Sequence, residues 1–128
     1  LREGKPYAIY VKGYSMRPFI EHTRDRVFLE KRDNYNVGDA VLAQISPGHY
    51  VLHRIIQKRN DGFVLQGDGN VRGVELCREE DVSGVVTQYI RPNRIISADD
   101  PQLVRRINLW RKLRPIRRYL LFIYKTII

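Results

Sequence analysis

One cysteine, Cys77, stands in 128 residues. No internal disulfide can form, so the fold rests on its apolar core, and Cys77 is expected there as a small buried side chain. No run reaches the ~18 uninterrupted apolar residues of a membrane-spanning helix. The three histidines and single cysteine do not fall at zinc-ligand spacing, and His22 and His49 lie in polar surroundings. The sequence therefore calls for no metal and no cofactor. No internal repeat and no secretory leader is visible in these residues. With 43% hydrophobic and 29% charged residues, it reads as one globular domain and not as a disordered chain.

Acids are missing from one end. Residues 103–128 carry eight basic side chains, among them Arg105, Arg106, Arg111, Lys112, Arg114, Arg117 and Arg118, and no Asp or Glu. The whole chain has a net charge of +9, so the preceding residues are close to neutral. A patch of this kind favours a polyanionic partner. The chain opens at Leu1 without a methionine, which leaves room for an upstream segment such as a membrane anchor.

Residues 1–92 read as strands and turns. Short apolar or alternating runs occur at Tyr7–Lys12, Arg26–Glu30, Ala40–Ile45, Tyr50–Lys58, Phe63–Gln66 and Val82–Ile90. Turn signals separate them: Asn34-Tyr35-Asn36 with Gly38-Asp39, Ser46-Pro47-Gly48, and Asn60-Asp61-Gly62. The texture changes at Arg91-Pro92-Asn93. Asp99-Asp100-Pro101 then reads as a helix start with an acidic cap and proline in the first turn, and Leu103, Ile107, Trp110 and Leu113 recur at helical spacing. Pro115 should break or kink this helix. A second amphipathic piece follows, with Ile116, Leu120, Ile123 and Ile127 on one stripe. The expected organisation is a mainly β domain over 1–92 and a basic amphipathic helical tail over 93–128, packed on that domain or on a membrane surface.

Four segments carry the chemistry. Gly13-Tyr14-Ser15-Met16-Arg17-Pro18 resembles the nucleophile box of signal peptidase I, and LexA-type self-cleaving repressors have a looser version. Gly38-Asp39-Ala40-Val41-Leu42 resembles that family's Gly-Asp box. Leu52-His53-Arg54-Ile55 resembles the strand bearing the general base, and Gly67-Asp68-Gly69-Asn70 the closing Gly-Asp-x-Asn box. All four arrive in the family's order. The resemblance implies a coiled antiparallel β-sheet peptidase domain with Ser15 as nucleophile and His53 as base. Most bacterial members have lysine where His53 stands, so the chain resembles the endoplasmic-reticulum-type, Ser-His branch. Imidazole suits the role because it is largely neutral near physiological pH, whereas lysine needs strong desolvation.

A third group should hold the imidazole tautomer and stabilise the imidazolium. Asp68, in the fourth box, is the first candidate, and Glu75, near the position of a further acid in the histidine branch, is the second. The backbone N–H of Ser15 is the expected oxyanion donor. The resemblance implies a serine endopeptidase that cuts an extended peptide or preprotein after small residues.

Two rivals differ in class. A LexA-type self-processing regulator would need a lysine base and a cleavable small-residue pair ahead of Ser15. A basic adaptor on the same fold would bind membrane or nucleic acid without catalysis. For the tail, three partners are open: the domain itself, an anionic membrane surface met peripherally, or nucleic acid. The last is disfavoured because the apolar residues follow a helix stripe instead of alternating with the basic ones.

Overall fold

A computed structural model describes residues 7–10, 16–17, 19–20, 25–70, 73–117 and 120–121. The described chain is mainly β. Eight strands form one antiparallel sheet: β1 (Tyr7–Tyr10), β2 (Arg26–Glu30), β3 (Ala40–Ser46), β4 (His49–Arg59), β5 (Gly62–Gln66), β6 (Glu75–Cys77), β7 (Val82–Arg91) and β8 (Arg94–Ser97). Seven lie in the order β1-β2-β7-β3-β4-β5-β6. The eighth, β8, pairs with the far end of β7, on the edge that β3 occupies further back along that strand. The sheet coils enough for β6 to approach β3 again.

Local sequence accounts for the turns. β3 and β4 are joined by Pro47-Gly48, with Gly48 at φ +75°, the left-handed position that glycine takes without a Cβ penalty. β4 and β5 are joined by Asn60-Asp61. Gly62, which opens β5, has φ +152°, and a Cβ there would collide with the Cys77 carbonyl on β6. Only glycine lets these two strands close.

Side-chain alternation divides the sheet between two cores. Val41, Ala43, Ile55, Phe63, Leu65, Cys77, Val82 and Val85 fill one with Tyr35. The other holds Met16, Phe19, Ile20, Val27, Leu29, Val86 and Tyr89, and on it rests helix α1 (Pro101–Lys112). Asp100 caps α1 by accepting from Leu103 N at 3.1 Å, with Pro101 in the first turn. Leu103, Ile107 and Trp110 are buried along one stripe. The helix ends at Lys112, and a single 3₁₀ turn over Arg114–Ile116, which contains Pro115, follows it.

Two strands escaped the sequence reading. β6 is only three residues long, and β8 lies beyond position 92, where the sequence changes texture. The sheet runs on to Ser97 through the Pro92-Asn93 turn. The apolar stripe of α1, including Trp110, is packed on the domain and not exposed. Among the described residues, no helix is long and apolar enough to cross a membrane. Arg118, Phe122, Ile123 and Ile127 lie outside the described residues.

Candidate active site

Register decides which side chains meet. His53 pairs with Val41 across β3–β4, and Ile55 pairs with Leu65 across β4–β5. Leu65 in turn pairs with Glu75 across β5–β6. Cross-strand partners share a face, and so do residues two apart on a strand. His53, Ile55, Leu65 and Glu75 therefore fall on one face, and the imidazole and carboxylate meet above the apolar row between them.

His53 is 5% exposed. Its Nδ1 lies 3.3 Å from Glu75 Oε1, within ion-pair reach. Burial lowers the His53 pKa below the ordinary imidazole value, while the Glu75 carboxylate, and more weakly the charge of Asp68, pull it back up. The product is an imidazole held neutral beside a carboxylate that favours its charged form.

Arg54, the next residue, points to the opposite face. Its Nε donates to Asp68 Oδ1 at 2.8 Å and its Nη2 to Oδ2 at 2.6 Å. Nη1 donates to the Gly38 carbonyl at 2.8 Å, and the guanidinium lies 5.7 Å from the Phe19 ring centre. Burial alone would lower the Arg54 pKa, but Asp68 and Tyr89 outweigh it and hold the guanidinium charged. One buried arginine thus ties together the neighbourhoods of three of the four sequence boxes.

Asp68 is a junction for the same purpose. Its backbone N–H donates to Met16 Sδ at 3.4 Å, and its carbonyl accepts from Trp110 Nε1 at 2.7 Å. The turn headed by Gly67 therefore joins the residue that follows Ser15 in the chain to the docked helix. Asp39 has a local role: its Oδ2 accepts from Asn36 N at 2.8 Å, closing the turn into β3.

Of the sequence-derived site residues, His53 and Glu75 are brought together. Asp68 is engaged by Arg54 and reaches His53 only as a more distant charge. Ser15, with the oxyanion donor expected at its N–H, lies outside the described residues. Sequence reasoning had no role for Arg54 beyond its place in the third box. The signal was available in the alternation of β4, because neighbours on a strand cannot serve the same acid on the same face. Cys77 is buried and free, and burial, with Asp81 nearby, pushes its thiol up to about 11.

No family model matches the chain, and no curated protein matches it.

Proposed function

We propose that the chain is a serine endopeptidase of signal-peptidase type, acting through Ser15, His53 and Glu75. The observation that carries this reading is the buried contact between His53 and Glu75, which supplies a general base with a carboxylate behind it. With Nδ1 turned to Glu75, Nε2 is the ring nitrogen left to take the Ser15 proton in this reading.

The chemistry follows from those roles. Ser15 Oγ attacks the scissile carbonyl carbon as His53 takes the hydroxyl proton. Glu75 stabilises the imidazolium that forms. The tetrahedral intermediate collapses, the C–N bond breaks, and His53 gives its proton to the leaving amine. Water, deprotonated by His53 in turn, releases the acyl group from Ser15. The backbone N–H of Ser15 serves the developing oxyanion. The substrate class is an extended peptide with small residues before the cut. The basic tail brings the enzyme to an anionic membrane surface where preproteins emerge. That peripheral association is compatible with a docked α1, because the exposed side of the helix carries the charge.

Incubation with a mixed peptide library, read by mass spectrometry, tests the proposal. Cleavage after small residues is expected from the unaltered chain and from neither Ser15→Ala nor His53→Ala. Cleavage that survives in either variant, or none from any of the three with anionic lipid present, sinks it.

A further inference from the structure

Where α1 ends, a cavity of about 400 Å³ opens between the helix corner and the sheet. Arg111, Lys112, Arg114 and Arg117 line it, with Gln66 and Asn108 as polar neighbours. Among the described residues, no Asp or Glu contributes to the wall. None of the lining residues belongs to the proposed catalytic group.

A helix C-terminus attracts cations, which accounts for Arg111 and Lys112 in the last turn. It does not account for Arg117. This side chain is 2% exposed, and every hydrogen bond that the described residues offer it is neutral and long. Nη1 meets Gln66 Oε1 and the Asn70 carbonyl at 3.3 Å each, and Nη2 meets the Trp110 carbonyl at 3.4 Å. Among the described residues its Nε, which is buried, has no hydrogen-bond partner. The guanidinium rests 5.2 Å from the Trp110 ring centre, a favourable contact that brings no counter-charge. Asp68, the nearest negative influence, is already held by Arg54. Burial, with Arg114 and Arg54 beside it, pushes the Arg117 pKa down. A buried guanidinium with no acid of its own among the described residues, and three more cations around the same hollow, make a site short of an anion.

We propose that this cavity binds a phosphate group, with Arg117 as its floor and Lys112 and Arg114 as its exposed rim. Planar guanidinium forks match the oxygens of phosphate in pairs. The volume admits a substituted phosphate and is generous for a simple halide. Leu109 and Ile116 expose apolar surface on the neighbouring turns, which suits a phosphate carried on a lipid. This site gives the peripheral association proposed above a definite address, and it shares no residue with Ser15, His53 and Glu75. Loss of the one is therefore visible without loss of the other.

Two binding arms test it: calorimetric titration with inorganic phosphate and pyrophosphate, and flotation with phosphatidylcholine vesicles with or without phosphatidylglycerol. Two variants remove the same charge from exposed positions, Lys112→Gln with Arg114→Gln at the rim and Arg105→Gln with Arg106→Gln elsewhere on the helix. The expected result is saturable binding that weakens about tenfold in the rim pair and less than about twofold in the control pair. Binding of the soluble anions identifies a free-phosphate site, and binding confined to phosphatidylglycerol vesicles identifies a headgroup site. Equal weakening by both pairs would reveal diffuse attraction to the tail and overturn the proposal, as would no binding in either arm.

Discussion

Arg54 grips Asp68 through both of its near carboxylate oxygens, Nε to Oδ1 at 2.8 Å and Nη2 to Oδ2 at 2.6 Å, with both side chains almost wholly buried. That pair gives Asp68 a structural role, and the carboxylate beside His53 is that of Glu75. The two acids are accordingly expected to fail in different ways when altered.

Asp68→Asn leaves the Arg54 guanidinium buried without its counter-ion. Breaking one side of such a pair costs about 3–5 kcal/mol. Urea unfolding should show the midpoint falling steeply, and activity should fall because folded protein is lost. A variant as stable as the parent would mean that the ion pair contributes little.

Glu75→Gln is expected to spare the fold and damage the chemistry. The side chain is 25% exposed, so its neutral isostere is readily accommodated. Removing the carboxylate behind a catalytic imidazole should lower kcat about 10²- to 10⁴-fold, at an unchanged urea midpoint. Activity within about twofold of the parent would remove Glu75 from the mechanism.

The acid limb of kcat/KM should lie below the ordinary imidazole value of 6.5, because burial lowers the His53 pKa. The base works when neutral, so activity is lost only as pH falls through this depressed value. Stability moves in the same direction. Between the ordinary and depressed values the unfolded chain holds the proton and the folded chain does not, so stability declines as pH falls across that window. Above it, His53 adds no pH dependence. Glu75→Gln removes the largest influence raising the pKa, so its residual activity should show a limb displaced further toward acid. A shift toward neutral pH would contradict the pairing.

Trp110→Phe keeps the aromatic packing of α1 and deletes the 2.7 Å bond to the Asp68 carbonyl. A loss of about 1–2 kcal/mol is expected, since the carbonyl is left buried without that donor. Hydrogen exchange should quicken at the Gly67–Asn70 turn more than in β2. Uniform quickening across the sheet would mean that Trp110 acts only as bulk.

Much of the framework was legible before any coordinates. The short apolar run of β2, the Pro47-Gly48 and Asn60-Asp61 turns and the Asp99-Asp100-Pro101 helix start are local signals, each read from a few neighbouring residues. The stripe of Leu103, Ile107 and Trp110 identified the buried side of α1, although not what would cover it. β6 and β8 were missed for a common reason. Three or four residues carry too little period to register, and both strands exist because longer partners, β5 and β7, offer an edge.

The site divides along the same line. Sequence alone named Ser15, His53, Asp68 and Glu75 as candidates for acyl-transfer chemistry, through a resemblance carried by residue type and order within a box, which are local properties. Tertiary structure decided which acid stands beside His53. Adjacent residues of a strand face opposite sides, so the register that sends Arg54 to Asp68 sends His53 to Glu75 two strands away. Tertiary structure also gathered Arg111, Lys112, Arg114 and Arg117 around one hollow. In the sequence they are a run of positive charge, and only the packing of α1 on the sheet removed one of them from water.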